Sequence, residues 1–318
     1  MKISKQKFEK TLSIREQFGK TLTKVSKSNK KIIVVSCDLE SACKLKEFKK
    51  KFPSRFIETG IAEANAIGIA SGVALAGFRT VLASFASFIT GKNIEIRMSV
   101  SYNNAPVIII GTHGGMIGAD GATQAGLQDI SIMRSIPDFK IFQPCSNIET
   151  DQILRYALKD KAPTYIRVAR NVVPEILDKN YKFDPKIGAN YLKKGNKIAI
   201  ISSGPMVFNS LKAIDDLKNK KDFSIINLSK IKPINSKLIK KIADNHKAIV
   251  TIEDHSTEGG IGSLISETLS SHNRKIKIYM LGITNQFISS DNPSNLERFY
   301  NLSPSKIKSF LNKIYKKL

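Results

Sequence analysis

The chain of 318 residues contains no tryptophan, four histidines and three cysteines. Cys37, Cys43 and Cys145 are odd in number and form no C-x-x-C pair. They offer neither a disulfide framework nor a cysteine zinc site, so free thiols in a reducing compartment are expected. No apolar run reaches the length of a membrane span, and the opening "MKISKQKFEK" has no hydrophobic segment of the kind a signal peptide carries. A cytoplasmic protein without membrane association is therefore expected. Acidic residues are also scarce, with 27 Asp and Glu against 51 Lys and Arg and a formal net charge of +24. Such an excess can serve nucleic-acid binding. Here only ten of the basic residues are arginines, the lysines are scattered through both halves, and no nucleic-acid module is present. The charge reads as a solvated, lysine-rich surface, with no nucleic-acid partner expected.

What is present is an alternation of short apolar runs with amphipathic stretches. The runs "KIIVVSCD" (31–38), "RTVLAS" (79–84), "PVIIIGTH" (106–113), "FKIFQP" (139–144) and "PTYIRVA" (163–169) predict strands. Helices are predicted near 12–28, 61–76, 86–102, 126–135 and 147–158. Strands that are apolar throughout and separated by helices indicate a parallel sheet covered on both faces. The pattern lapses over 176–195, where Pro, Asn, Asp and Lys appear without periodicity, and resumes with "KIAIISSG", "FSIINLS", "KAIVTIED" and "KIKIYMLG". The expected fold is α/β, with two domains, each a mostly parallel sheet with helices on both faces. Their expected limits are 1–175 and 196–318, joined by a linker at 176–195.

One stretch combines apolar composition with an isolated acid. In "FIETGIAEANAIGIASGVALAGF" (56–78), Glu63 stands in the first turn of a predicted helix that is small and apolar thereafter, with Gly77 placed to end it. A first-turn acid is favourable on dipole grounds alone. Ala64, Gly68, Gly72 and Ala76 are four residues apart and share one face. Helix-interior glycines cost about 1 kcal/mol each, so the stripe implies a close contact, either within the domain or with another subunit.

The blocks "ETGIAEANAIGIASGVALAGFRTVLASFASF" (58–88), "GTHGGMIGADGATQAGLQDISIMRSIPDFKIFQPC" (111–145) and "PTYIRVAR" (163–170) resemble the pyrimidine-binding domain of the transketolase family of thiamine diphosphate enzymes. The blocks "GPMVFNSLKA", "IKPIN", "TIEDHSTEGGIGSLISE" and "LGITNQF" are similar to the C-terminal domain of that family. The G-D-G motif through which the family binds diphosphate and its divalent metal does not occur; "GADG" at 118–121 belongs to the loop after a strand. The resemblance thus implies the C-terminal subunit of a split transketolase. It would hold the pyrimidine end of thiamine diphosphate, while an N-terminal partner subunit binds the diphosphate with Mg or Ca, in an α2β2 assembly.

The same resemblance assigns residues. Glu63 is implied to hydrogen-bond N1′ of the aminopyrimidine, and a carboxyl shielded from water suits that proton sharing. Phe85 and Phe88 match pyrimidine-stacking aromatics, a third of which falls at Gly91. Asp38 matches an acid near the cofactor, although it could equally cap the next helix. Arg15 and Arg170 match arginines that hold a sugar phosphate, His113 a catalytic substrate-loop histidine, and Asp120 an acid that contacts a substrate hydroxyl. Two positions depart from the pattern. Gln124 stands where a substrate-contacting His is expected and cannot become cationic, and Ala42 replaces a phosphate-contacting Ser. No metal ligands are implied in this chain. The cluster Glu253, Asp254 and His255 before a glycine-rich helix entry reads as structural or interfacial. The leading expectation is ketol transfer from a ketose phosphate to an aldehyde. A 1-deoxyxylulose-5-phosphate synthase-like activity, the β subunit of a 2-oxo acid dehydrogenase E1 component and a non-catalytic cofactor-binding subunit are the alternatives.

Overall fold

The apolar runs form the centres of two sheets. The computed structural model describes residues 10–318, so the first nine residues of the expected first domain lie outside it. In chain order the strands are β1 (Lys10–Ser13), β2 (Ile32–Ser36), β3 (Phe56–Glu58), β4 (Arg79–Phe85), β5 (Val107–Thr112), β6 (Lys140–Phe142) and β7 (Thr164–Val168). They continue with β8 (Val172–Pro174), β9 (Ala189–Lys193), β10 (Ile198–Ser202), β11 (Phe223–Leu228), β12 (Lys230–Lys232), β13 (Ala248–Ser256) and β14 (Lys277–Ile283). The first sheet has the order β12-β6-β7-β5-β4-β2-β3, and the second β14-β13-β10-β11-β9. Every residue of β2, β4, β5, β7, β10 and β11 is buried, as expected when helices cover both faces of a parallel sheet.

All neighbours in the first sheet are parallel except β12, and all in the second except β9. Both exceptions escaped the sequence reading. Strand β9 lies within the segment expected as linker and pairs with β11. The three residues of β12 leave the second sheet and close the edge of the first by pairing with β6, with Ile231 fully buried. β1 and β8 form a separate antiparallel pair.

Two chain segments explain where the site lies. Strands β3 and β4 flank β2 on opposite sides, so the direction of winding reverses there, and sheets of this kind form a ligand crevice beyond the carboxyl ends of the strands at such a reversal. The helix Glu63–Leu75 connects β3 to β4 and begins at this crevice. It ends in paired bonds from Gly77 N–H to the Ala74 carbonyl and from Phe78 N–H to the Val73 carbonyl, with Gly77 at φ +95°. The helix expected over 86–102 is instead broken. It runs over Ala86–Thr90, turns at Gly91, and resumes through Asn93–Glu95 into wide π-type turns over Ile96–Ser101. The Ser99 carbonyl in those turns accepts from the Ser71 hydroxyl and the Asn103 amide.

Candidate active site

The acid of the opening helix is buried at the crevice. Glu63 is the first residue of its helix and only 8 % exposed, beneath an Ala62 cap that offers no side-chain oxygen. Ser84, at the end of β4, donates its hydroxyl to Glu63 Oε1 at 3.1 Å. Oε2 has no hydrogen-bond partner among the described residues. This oxygen is not among the buried atoms left without a partner, so it is open to solvent on an otherwise buried side chain and accessible to an external donor.

Phe85 and His113 follow on adjacent strands. The Phe85 and Phe88 rings stack with centroids 5.2 Å apart, and the His113 ring lies 3.7 Å from Phe85 at 31°. His113 follows β5 with φ +60°, and Asp38 stands two residues beyond β2 with φ +58°. Non-glycine residues seldom adopt this conformation, and such strain concentrates at functional sites. The Asp38 N–H donates to Glu58 Oε1 at 2.7 Å, and its side chain is exposed. It caps no helix, since the next one starts at Lys46 behind Leu45.

Hydrogen bonds join these groups into one line. The Thr112 hydroxyl donates to the Ser84 carbonyl at 3.2 Å, which leaves its oxygen to accept His113 Nδ1–H at 2.9 Å. His113 Nε2 then faces Arg15 NH1 at 3.5 Å, and that guanidinium also donates to the Ala42 carbonyl at 2.9 Å. Burial, with help from Arg15 and Arg170, pushes His113 down to about 3, so the imidazole is neutral at physiological pH. Burial and the neighbouring Arg170 charge likewise hold Arg15 below the usual arginine range. Arg15 Nε is buried without a partner among the described residues. Two guanidiniums close enough to repel, one with an unused buried donor, make a site suited to an anion.

The outer wall is the loop 113–128, between β5 and the helix Asp129–Ser135. Asp120 on it is ion-paired with Arg170, which also donates to the Ile117 carbonyl at 2.9 Å. Gln124 stands apart from the other expected site side chains. Its Oε1 accepts from Thr123 at 3.0 Å, and its carbonyl accepts from Ser87, which lies between the two stacked phenylalanines in sequence. Serine, threonine and glutamate partners escaped the sequence reading, namely Ser84, Thr112 and Glu58. The available signal was a hydroxyl or acid at the carboxyl end of a strand beside a winding reversal. In the second domain, both carboxylate oxygens of Glu253 accept from the N–H groups of Ile261 and Gly262, and burial raises this acid to about 7. Glu253 thus binds the entry of its own helix, whereas Asp254 and His255 meet residues of the first domain.

The open oxygen of Glu63, whose other oxygen is held by Ser84 one residue before the stacked Phe85, fits an aminopyrimidine, which needs an acid and a ring surface. Comparison with known proteins points to the same chemistry. Residues 10–175 match the transketolase pyrimidine-binding domain, and residues 188–307 the transketolase C-terminal domain. The chain is 34% identical over 298 residues to a putative transketolase C-terminal section from Methanocaldococcus jannaschii, covering 92% of this chain and 93% of that one. It is 31% identical over 295 residues to one of the subunits of the apulose-4-phosphate transketolase from Phocaeicola vulgatus, covering 92% and 94%. A solved split gene transketolase, described as an inactive β4 tetramer, superimposes with a TM-score of 0.87 at 31% identity, over 95% of this chain and 98% of that one.

Proposed function

Because the chain belongs to the transketolase family, we propose that it is the C-terminal subunit of a two-polypeptide transketolase, moving a two-carbon ketol unit from a phosphorylated ketose to an aldehyde. The observation that carries this reading is the mostly buried Glu63 carboxylate at the winding reversal, bonded through one oxygen to Ser84, the residue before the stacked Phe85, and open at the other. When bound, thiamine diphosphate supplies the electron sink for breaking the carbon–carbon bond. Glu63 would share a proton with N1′ of the aminopyrimidine, oriented by the Ser84 hydroxyl. Phe85 and Phe88 would offer the ring a flat apolar face. Neutral His113, its Nδ1–H committed to Thr112, would present Nε2 to a substrate hydroxyl. Arg15 and Arg170 would hold the phosphate, with Asp120 released from Arg170 to bind a hydroxyl. Asp38 would border the cofactor, and Gln124 would contact the sugar as a neutral group.

A partner is needed on two counts. The diphosphate and its metal, Mg or Ca, would be held by an N-terminal subunit. The Ala64, Gly68, Gly72 and Ala76 stripe is exposed, and a side chain added at Gly68 or Gly72 would meet nothing within 4 Å. Among the described residues, nothing in the same domain packs on the two glycines of the stripe. Exposed Leu75 lies on this helix and Ile94 and Met98 on the broken helical segment packed against it, with exposed Ile61 just before the one and Tyr102 just after the other. This apolar surface would receive the partner in an α2β2 assembly. Co-expression with a polypeptide bearing G-D-G, followed by assay of ketose phosphates and pyruvate as donors with aldehyde acceptors, tests the reading. Ketol transfer that requires Glu63 supports it. Transfer from pyruvate alone, or none with any pair, overturns it.

A further inference from the structure

The second domain touches the loop that forms the outer wall, and one buried arginine of the first domain lies at the centre of that contact. Arg167 on β7 is 1 % exposed. Its Nε donates to both oxygens of Asp129, at 2.9 and 3.1 Å, where the loop enters its helix. NH2 donates to the Gly126 carbonyl at 2.8 Å, within the loop. The remaining contacts cross into the second domain, from NH1 to Asp254 Oδ1 at 2.8 Å and from NH2 to the Asp254 carbonyl at 3.1 Å.

The far side of this junction is equally specific. Gly126 pairs with both ends of the His113–Gly115 segment, accepting Gly115 N–H at 2.9 Å and donating to the His113 carbonyl at 3.1 Å. Gly115 has φ +91°, and a Cβ there would come within 2.0 Å of Asp254 Oδ2, so the loop neck rests against this carboxylate. The Ser256 N–H donates to the Leu127 carbonyl at 2.8 Å, and the Ser290 hydroxyl donates to the Ala119 carbonyl, one residue before Asp120. His255 accepts the Ile130 N–H at Nε2 and donates Nδ1–H to the Ser256 carbonyl.

A buried ion cluster is weak evidence for stability, because apolar replacements often serve as well. Its particular contribution here is direction, since a planar guanidinium fixes several acceptors at once. We propose that Arg167 and Asp254 are positioning residues by which the second domain sets the shape of loop 113–128, and with it the placement of His113, Asp120 and Gln124 for the sugar. This rests on the reading of that loop as the sugar-binding wall. The domain is then a determinant of sugar affinity in addition to its part in assembly.

The test combines hydrogen exchange on the isolated chain with kinetics of the assembled enzyme. Asp254→Asn keeps the acceptor oxygen and removes the charge that holds Arg167. Ser290→Ala removes only the distal tether and is a second variant should the first fail to fold. Ser266→Ala, elsewhere in the second domain, is the control. Amide exchange over 113–128 should accelerate about tenfold or more in the first two and stay unchanged in the control. With the partner subunit, KM for the ketose phosphate should rise about tenfold in Asp254→Asn while kcat and thiamine diphosphate affinity stay within about twofold. Unchanged loop exchange in both variants overturns the proposal, whatever the enzyme's reaction proves to be. So does a loosened loop with unaltered KM in an enzyme that still requires Glu63. If the loop loosens but no sugar is turned over by the wild type, the reading of the site fails and the proposal's claim about sugar placement fails with it.

Discussion

The inner and outer walls of the crevice are built differently. Glu63 and Phe85 are each less than one-tenth exposed and stand at the ends of a helix and a central strand. Asp120 and Gln124 are exposed or half-buried on a loop, where they are held by an ion pair, neighbouring hydroxyls and the second domain. The sheet therefore fixes the proposed cofactor side, whereas the proposed sugar side depends on contacts that can exchange partners. This matches the chain's two departures from the family pattern, Gln124 and Ala42, which both fall on the sugar side. Substrate preference can vary on the outer wall without disturbing the inner one.

Four experiments would break or sharpen that contrast, the largest expected effect first. Glu63→Gln should lower ketol transfer by the assembled enzyme about 10²–10⁴-fold, the usual scale for a lost proton-transfer group. Its melting temperature should stay within a few degrees of wild type, since the remaining amide oxygen can still accept from Ser84. Phe85→Ala should cost about 3 kcal/mol in urea unfolding, because it removes a largely buried ring that touches Phe88 and His113. Gln124→Ala should by contrast stay within about 0.5 kcal/mol. Equal costs at the two positions would erase the distinction between the walls. Arg15→Lys should raise KM for a phosphorylated donor about tenfold, as the fork is lost, with little change for an unphosphorylated analogue.

The remaining effect concerns pH. His113 is held at about 3 in the folded chain, below the ordinary value near 6.5. Between these limits the unfolded state takes up a proton that the folded state refuses, so stability present above about pH 6.5 is lost as pH falls toward 3. His113→Asn, which tolerates the same left-handed backbone, should flatten the decline in melting temperature between about pH 6.5 and 4. An unaltered slope would show that His113 is not buried as a neutral ring.

Legibility in the sequence followed the length and regularity of each signal. The runs around Arg79–Phe85, Val107–Thr112 and Ile198–Ser202 are long and wholly apolar at their centres, and each is a buried parallel strand. The three residues of Lys230–Lys232 carry no periodicity of their own, and only tertiary pairing with β6 makes them a strand. The same holds for Ala189–Lys193 in the expected linker, whose polar composition suits an antiparallel edge. The break after Thr90 was obscured because Gly91 is tolerated within a helical pattern. In the site, Glu63 was visible as one acid in an apolar stretch. Ser84 and Thr112 were not, because a hydroxyl ending a strand looks the same whether it caps, packs or orients a neighbour. The junction made by Arg167 could not be read from spacing at all, since Asp129 and Asp254 lie 38 and 87 residues away.

The central claim is that this chain supplies one half of a thiamine diphosphate site and needs a second polypeptide for the other. The most direct measurement is a calorimetric titration of thiamine diphosphate with a divalent metal into the purified chain, into the G-D-G-bearing partner, and into their complex. Saturable binding at one cofactor per chain is expected in the complex alone, weakened when Glu63 is replaced by alanine. Equally tight binding by the isolated chain, or binding by the complex that is indifferent to Glu63→Ala, would contradict it.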